Sequence, residues 1–260
     1  RDLGRTYSLA TVQPAYNIGS GDSAVHLLTD FCQPRPPALN SDMNISEARL
    51  WMKMADTAFK LAENGASECV GMITIADING DRLDAVAEEI GQKGARVLTR
   101  VVDVSKKKQV KDLVRFVIEK RGCVDILYNN AGVSIGGRFE DTGLEDWEWI
   151  FGINFWGMLY GIHYVLPHMI ERKSGHIVNT SSLMGLCATP GTPAYCATKH
   201  AVASLGESLR AELRRHGIGV TTICPGVIDT RIVEDGRMHL DEKALASRER
   251  VIKFYKKLGW

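Results

Sequence analysis

The sequence lacks the features that mark several large classes of protein. Its 260 residues contain no run of about 18 uncharged apolar residues, so no membrane span is expected. Lys and Arg total 32 against 31 Asp and Glu, and a formal net charge of +1 argues against a nucleic-acid binder. The N-terminal region lacks the charged-then-apolar order of a secretory signal. An ordinary globular protein remains, 45% hydrophobic and 24% charged, and long enough to bury a core.

The cysteines lack the spacing of a metal site or of a disulfide framework. There are six of them, none forms a CxxC pair, and no cluster with His has the spacing of zinc ligands. Thiols of this kind are typical of reducing compartments. We therefore predict reduced cysteines, no metal site and a cytoplasmic location.

From about residue 50 onward, short apolar segments alternate with segments of helical period. Strands are predicted at 72–76, 96–102, 124–128, 176–180 and 218–223. Helices are predicted at 52–63, 81–90, 106–120, 144–171 and 193–215. Ser105 precedes the third of these helices and is its candidate cap. The alternation predicts an α/β protein, a single domain with a doubly wound parallel sheet of Rossmann type, which binds ligands at the carboxyl ends of its strands.

Acidic residues follow the first two of these strands. Asp77 can accept a hydrogen bond from the ribose 2′-hydroxyl of NAD, and its charge would repel the 2′-phosphate of NADP. Alternatively, it is a turn residue before Asn79 and Gly80. Asp103 either holds an adenine amino group or caps a turn.

A run of amide and small residues, Asn129–Gly132, follows the strand at 124–128. Small residues let the backbone approach a flat ligand closely, and Asn side chains can tie neighbouring strands together. The alternative for this run is an ordinary loop.

Tyr195 and Lys199 share one helix face because they are four residues apart. A phenol with a pKa of about 10 is a poor acid–base catalyst near neutral pH, and an ammonium about 4 Å away would lower that pKa by up to about three units. The same Tyr–Lys pair at an exposed surface position, away from a ligand site, would have no function. Ser182, after the preceding strand, can donate a hydrogen bond to a substrate oxygen. Asn154 is a poor helix former inside a predicted helix, where it satisfies a local polar group or holds a water behind Lys199.

These residues together resemble the short-chain dehydrogenase/reductase family over residues 55–235. The matching motifs are Asn129–Gly132, Asn154, Ser182, Tyr195 with Lys199, and Pro225-Gly226 followed by Thr230. Ser182 lies thirteen residues before Tyr195, as the family pattern requires. The resemblance implies a nicotinamide-dependent oxidoreductase that interconverts a secondary alcohol and a ketone.

The resemblance also implies a role for each residue. Tyr195 would be the acid or base, Lys199 would lower its pKa and bind the nicotinamide ribose, Ser182 would orient the carbonyl, and Asn154 would support a proton relay through water. NAD, favoured over NADP because of Asp77, would be bound by Asp77, Asp103, Val104, Asn130, Ala131, Gly132, Tyr195, Lys199, Pro225, Gly226 and Thr230. A homodimer or homotetramer with a small alcohol or ketone substrate is implied as well.

The two ends of the chain depart from the family pattern. The family's Thr-Gly-x-x-x-Gly-x-Gly turn admits a pyrophosphate at a helix N-terminus. Its last two glycines would fall near Met52 and Met54, yet no Gly lies between Gly21 and Gly65. The chain also stops at Trp260, where the family adds a further helix and strand.

We therefore predict three segments: an unassigned segment at 1–48, a dinucleotide-binding and catalytic domain at 49–235, and a substrate lid or C-terminal helix at 236–260. The first Met is Met43, so the first segment is either a misjoined stretch that replaces the true first strand or the native sequence of a protein that has lost its cofactor. Three hypotheses follow: an active oxidoreductase, a cofactor-deficient binding or scaffold protein, and an incomplete chain.

Overall fold

A computed structural model describes residues 72–92, 96–226, 231–233 and 235–239. The helix predicted at 52–63, the residues at the missing glycine turn, Thr230 and both chain ends lie outside the described residues. Parallel strands and helices alternate along the described chain, which confirms the predicted Rossmann-type α/β fold. None of the helices in the described ranges is both long enough and apolar enough to cross a membrane.

The described residues fall into two compact units. The first holds most of strand β1 (Met72–Asp77), helix α1 (Gly80–Gln92) and most of strand β2 (Arg96–Val101). The two strands are hydrogen-bonded neighbours in one sheet. The core of this unit consists of Ile75, Leu83 and Ile90, with Ile73, Val86, Ala87 and Val97 packed around them. Leu83 and Ile90 are seven residues apart, so the helical period places them on one face.

The second unit contains the remaining elements. In chain order these are helix α2 (Lys107–Arg121), strands β3 (Ile126–Asn129) and β4 (Ile135–Gly136), helix α3 (Leu144–Phe151), a π-helical segment (Gly152–Gly157), helix α4 (Met158–Arg172), strand β5 (Gly175–Thr180), helix α5 (Pro193–Leu213), and strands β6 (Ile218–Ile223) and β7 (Arg237–Met238). Short 3-10 turns lie at Phe139–Asp141, Leu183–Gly185 and Arg214–His216.

The main sheet of the second unit has the strand order β3-β5-β6, and all three strands are parallel. Every residue of the central strand β5 is buried, as expected for a parallel sheet covered on both faces. His176 satisfies its buried ring through Thr221 on β6, with Nε2 2.8 Å from Oγ1. The apolar core around β5 comes from α2, α4 and α5, and its centre includes Ile162, Met169, Ile177 and Val202.

The long helix predicted at 144–171 is interrupted. Helices α3 and α4 are separated by the π-helical segment, which contains Asn154. A π-helical turn has less favourable backbone hydrogen bonds than an α-helix. It therefore persists where a tertiary contact offsets this loss. Asn154 supplies that contact through the loop after β3, as described below.

The predicted cap of helix α2 is wrong. The helix begins at Lys107 with Lys106 as its N-cap, and no side chain caps it. Ser105 instead turns back: its Oγ and its N–H donate to Asp103 Oδ1 over 2.6 and 2.9 Å. Ser105 Oγ therefore acts as a donor in a local Asp turn, whereas a helix cap would use it as an acceptor from a backbone N–H.

Candidate active site

The predicted site residues lie on the loops that follow the strands, apart from three that lie on helices. Asp77, Asp103 and Asn130 follow or end β1, β2 and β3, Ser182 follows β5, and Pro225 and Gly226 follow β6. Asn154 lies in the π-helical segment, and Tyr195 and Lys199 lie in α5. Since the carboxyl ends of parallel strands share one edge of a sheet, the loops after β3, β5 and β6 meet there.

Helix α5 begins just before Tyr195. Pro193 occupies its first turn, where a missing backbone N–H costs nothing and the fixed φ suits a helix. Tyr195 is 9% exposed and Lys199 is 3% exposed. Lys199 Nζ lies 5.6 Å from the centroid of the Tyr195 ring. The helix therefore holds an ammonium and a phenol together inside the protein.

The Lys199 ammonium is anchored at the end of strand β5. Its Nζ donates a hydrogen bond to the Thr180 carbonyl over 2.9 Å. Thr180 also donates from Oγ1 to Asn130 Oδ1 over 3.0 Å, which ties the ends of β5 and β3 together. A buried ammonium requires such acceptors to offset its desolvation. Thr180 is a site residue that the sequence analysis missed, although its position two residues before Ser182 was a usable signal.

Asn154 holds the loop after β3 in place. Its Oδ1 accepts from the Val133 N–H over 2.8 Å, and its Nδ2 donates to the Val133 carbonyl over 2.9 Å. The same Nδ2 lies 3.1 Å from Thr198 Oγ1, which reaches α5 one residue before Lys199. Asn154 is 3% exposed and Thr198 is fully buried. The amide thus joins the π-helical segment, the β3 loop and helix α5, and Thr198 is a second residue that the sequence analysis missed.

Ser182 is half-buried and caps the short turn after β5. Its Oγ accepts from the Met184 N–H over 3.2 Å. The next residue, Leu183, donates its N–H to the Pro225 carbonyl over 2.7 Å, so the loops after β5 and β6 are joined. Met184 packs against the apolar cluster that contains Tyr195. Met184 therefore links the Ser182 turn to the cluster that contains Tyr195. Because Ser182 Oγ is the acceptor in its hydrogen bond with Met184, its hydroxyl can still act as a donor.

Gly132 lies beside Lys199 and Asn154. A Cβ built on it would lie 3.4 Å from Lys199 Nζ, 3.5 Å from Asn154 Oδ1 and 3.7 Å from the Asn130 carbonyl. Ala131, its neighbour, is exposed. The distances from the Gly132 Cβ position are ordinary van der Waals distances, so the backbone at Gly132 lies close to both polar groups.

The two acids after β1 and β2 each use one oxygen in a local turn. Asp77 Oδ1 accepts from the Asn79 N–H over 2.8 Å, and Asp103 Oδ1 accepts the two Ser105 hydrogen bonds. The Asp77 carbonyl also accepts from the Val102 N–H over 2.9 Å, so these two loops are adjacent. Both acids adopt the turn role through Oδ1.

Val104, after β2, packs against the π-helical segment. A Cβ on Gly157 would come within 2.8 Å of Val104 Cγ2, so a glycine is required at that crossing. Val104, which is predicted to contact a cofactor, therefore also packs against the π-helical segment that contains Asn154.

Cys224 lies beside the site but is not activated. Burial raises the pKa of its thiol, and the hydrogen bonds with the Ser181 side chain and the Ser182 backbone only partly oppose that effect. The thiol is therefore protonated at neutral pH and a weak nucleophile.

We expect Gly185→Ala to disturb the site and the fold together. A Cβ there would collide with Ser181 Oγ and come within 2.6 Å of the Lys199 carbonyl. Because backbone atoms cannot rotate away, the substitution should cost about 1–3 kcal/mol of unfolding free energy and displace the Ser182 turn from α5. Chemical denaturation measures the cost. Gly91→Ala, whose Cβ would meet nothing within 4 Å, is the control. Equal stability of the two variants would contradict the close approach.

The chain is similar to known oxidoreductases over most of its length. The family model of the short chain dehydrogenase matches residues 55–240. An uncharacterized oxidoreductase of Staphylococcus saprophyticus is 38% identical over 191 residues, which cover 72% of this chain and 81% of that protein.

Solved structures show the same likeness. A short chain dehydrogenase/reductase from Burkholderia phymatum, in complex with NAD, has a TM-score of 0.66 and 31% identity, covering 76% of this chain and 74% of its own. A gluconate 5-dehydrogenase from Burkholderia cenocepacia, in complex with NADP and tartrate, has a TM-score of 0.60 and 29% identity, covering 70% and 69%.

Proposed function

The chain belongs to the short-chain dehydrogenase family, and from that premise we propose that it interconverts a secondary alcohol and a ketone with a nicotinamide cofactor. One observation carries the proposal: the buried ammonium of Lys199 lies 5.6 Å from the ring of Tyr195, at the carboxyl edge of a parallel sheet. A phenol beside a desolvated positive charge is suited to accept and return a proton near neutral pH.

In this proposal, Tyr195 exchanges the proton of the alcohol oxygen. In the oxidation direction its phenolate oxygen removes the hydroxyl proton, and in the reduction direction its hydroxyl protonates the developing alkoxide. Ser182 donates a hydrogen bond to the same substrate oxygen and holds it in place as charge develops. Lys199 keeps the phenolate form accessible through its positive charge, while the Thr180 carbonyl fixes the direction of its side chain.

Asn154 has two parts in the proposal. Its side chain fixes the β3 loop through Val133, as the geometry described above supports. Gly132 lies beside both Asn154 Oδ1 and Lys199 Nζ, and a water bound to these two groups would pass a proton between the site and solvent. The water relay stays a proposal.

The residues present fit a nicotinamide dinucleotide. Gly132, which places the backbone beside Lys199 and Asn154, and the carboxylates of Asp77 and Asp103 suit a flat polar ligand at the sheet edge. When bound, the nicotinamide supplies the hydride acceptor or donor. Asn130, Ala131 and Gly132 would line its groove, Pro225 and Gly226 would lie near its nicotinamide end, and Lys199 would bind the adjacent ribose.

Asp77 makes NAD the preferred form of the cofactor. We expect NADH at 100 times its dissociation constant to stabilise the protein by about 2.7 kcal/mol, a rise of about 5–10 °C in melting temperature, and NADPH to give a smaller rise. Differential scanning fluorimetry with each nucleotide measures both. Asp77→Asn removes the charge that repels a 2′-phosphate. The difference between the melting-temperature rises given by NADH and NADPH should therefore become smaller in this variant.

The same melting experiment tests the alternative function. The lack of glycine between residues 21 and 65 favours a cofactor-deficient binding or scaffold protein on this fold. A melting temperature that neither nucleotide changes would support that alternative and exclude the oxidoreductase.

The proposal extends to substrate and assembly. The apolar cluster around Tyr195 includes Met184 and Ile232, which supports a substrate of moderate apolarity.

Trp156, 46% exposed and stacked with Tyr160 at 6.0 Å, supports a homodimer or homotetramer formed through this helical face. Sedimentation equilibrium gives the number of subunits.

A further inference from the structure

A buried carboxylate lies outside the proposed machinery. Asp146, on the first turn of α3, is 4% exposed. Arg237 donates from Nη1 to its Oδ1 over 2.8 Å, and His239 Nε2 lies 2.6 Å from its Oδ2. The hydrogen bond from Arg237 holds the pKa of this carboxyl below its usual range, against the opposing effect of burial. A buried, ionised acid with two basic partners requires an explanation, because such a group is costly without them.

Both basic partners belong to one short piece of chain, residues 235–239, which we call the β7 segment. Its described backbone pairs with β4 over two residues, with hydrogen bonds from the Arg237 N–H to the Ser134 carbonyl at 3.0 Å and from the His239 N–H to the Gly136 carbonyl at 2.9 Å. Strand pairs of two residues are marginal by themselves. The Asp146 contacts and the Arg237 guanidinium, 3.9 Å above the Trp149 ring, are therefore a large share of what holds the segment.

The strand to which the segment is attached borders the catalytic tyrosine. Ile135 of β4 packs in one buried cluster with Tyr195, and Ile232 packs against the same cluster. Ser134 Oγ donates to the Ile232 carbonyl over 2.6 Å, and the preceding residue, Val133, is held by Asn154. A change in the position of the β7 segment would therefore change the wall next to Tyr195.

We propose that Asp146 is a positioning residue that holds the β7 segment against β4 and thereby sets the affinity for the organic substrate. The effect on affinity rests on the function proposed above, whereas the effect on the segment does not. Interactions of this kind are the same in the ground and transition states, so their loss raises KM and leaves kcat nearly unchanged.

The first experiment measures the segment directly. Asp146→Asn keeps the volume and removes the charge, and Arg237→Gln removes the partner if the first variant folds poorly. Hydrogen exchange with mass spectrometry should show exchange about tenfold faster at the Arg237 and His239 amides in both variants. The two substitutions should be non-additive: the double variant should exchange less than the product of the two single-variant increases predicts, because both break the Asp146–Arg237 contact. Asp141→Asn, an exposed acid on a nearby turn, should leave exchange unchanged.

The second experiment measures kinetics with NAD and the most active member of a panel of cyclic and acyclic secondary alcohols. In Asp146→Asn we expect KM to rise about tenfold and kcat to stay within about threefold of the native value. Unchanged exchange in both single variants overturns the proposal, and so does a fall in kcat as large as the fall in kcat/KM. If the native protein oxidises no alcohol in the panel, the proposed function fails, and the exchange experiment still decides whether Asp146 holds the segment.

Discussion

Tyr195→Phe is expected to lower kcat by about 10²–10⁴-fold while the protein keeps its fold. Only the phenol oxygen is removed, and the ring remains in the apolar cluster with Ile135 and Ile150. The hydrogen bond from Thr198 Oγ1 goes to the Tyr195 backbone carbonyl and is therefore unaffected. Steady-state kinetics with a secondary alcohol and NAD measures the loss.

Tyr164→Phe is the matched control for this substitution. Tyr164 lies on α4, partly buried against the main core, and has no place in the proposed machinery. Its loss of a hydroxyl should leave kcat unchanged. Undiminished turnover in Tyr195→Phe, with both variants melting like the native protein, would exclude Tyr195 as the acid–base group.

Lys199→Met is expected to move the pH dependence of alcohol oxidation toward higher pH. Oxidation requires the phenolate form of Tyr195, so the rate rises with pH as the phenol loses its proton. The ammonium favours the phenolate. Its Nζ lies 5.6 Å from the centroid of the Tyr195 ring, and opposite charges about 5–6 Å apart at an effective dielectric constant of about 20 attract by about 3 kcal/mol. Removal of the charge should shift the rising part of the profile upward by about two pH units, with a rate loss of about 100-fold near neutral pH.

The pH–rate profile from about pH 6 to pH 11 measures this shift. Lys111→Met, which removes an exposed lysine from α2, should leave the profile in place. Part of the Lys199→Met activity should return at high pH, where the phenolate forms without help. A reduced rate with an unshifted profile would show that Lys199 acts only in binding and not on the proton transfer.

The sequence predicts the fold and the grouping of the site residues because both follow from short-range periods. Alternating apolar and helical segments indicate the parallel sheet, and a spacing of four residues places Tyr195 and Lys199 on one helix face. Strand ends indicate which loops face the site. The roles of these residues stay predictions, as does the cytoplasmic location inferred from the cysteines.

The features that the sequence does not predict depend on partners far along the chain. The π-helical segment is stabilised by hydrogen bonds between Asn154 and Val133, 21 residues earlier. Asp146 finds Arg237 at a separation of 91 residues, so nothing near Asp146 indicates a buried ion pair. Strands β4 and β7 have two residues each, too few for a periodic pattern. In the sequence, Thr180 is an ordinary strand residue; its part in the site comes from its backbone carbonyl, which accepts a hydrogen bond from Lys199.

The strand order β3-β5-β6 determines when the site can form as the chain folds. Asn129 on β3 meets Asn179 on β5 across 50 residues, and His176 on β5 meets Thr221 on β6 across 45. Pairings at such separations must close long loops before they gain any contact energy, so they form late and slowly. During synthesis, β6 leaves the ribosome after every proposed catalytic residue, and its loop then meets the Leu183 N–H at Pro225. All the proposed catalytic residues are therefore synthesised before the strand that completes the sheet.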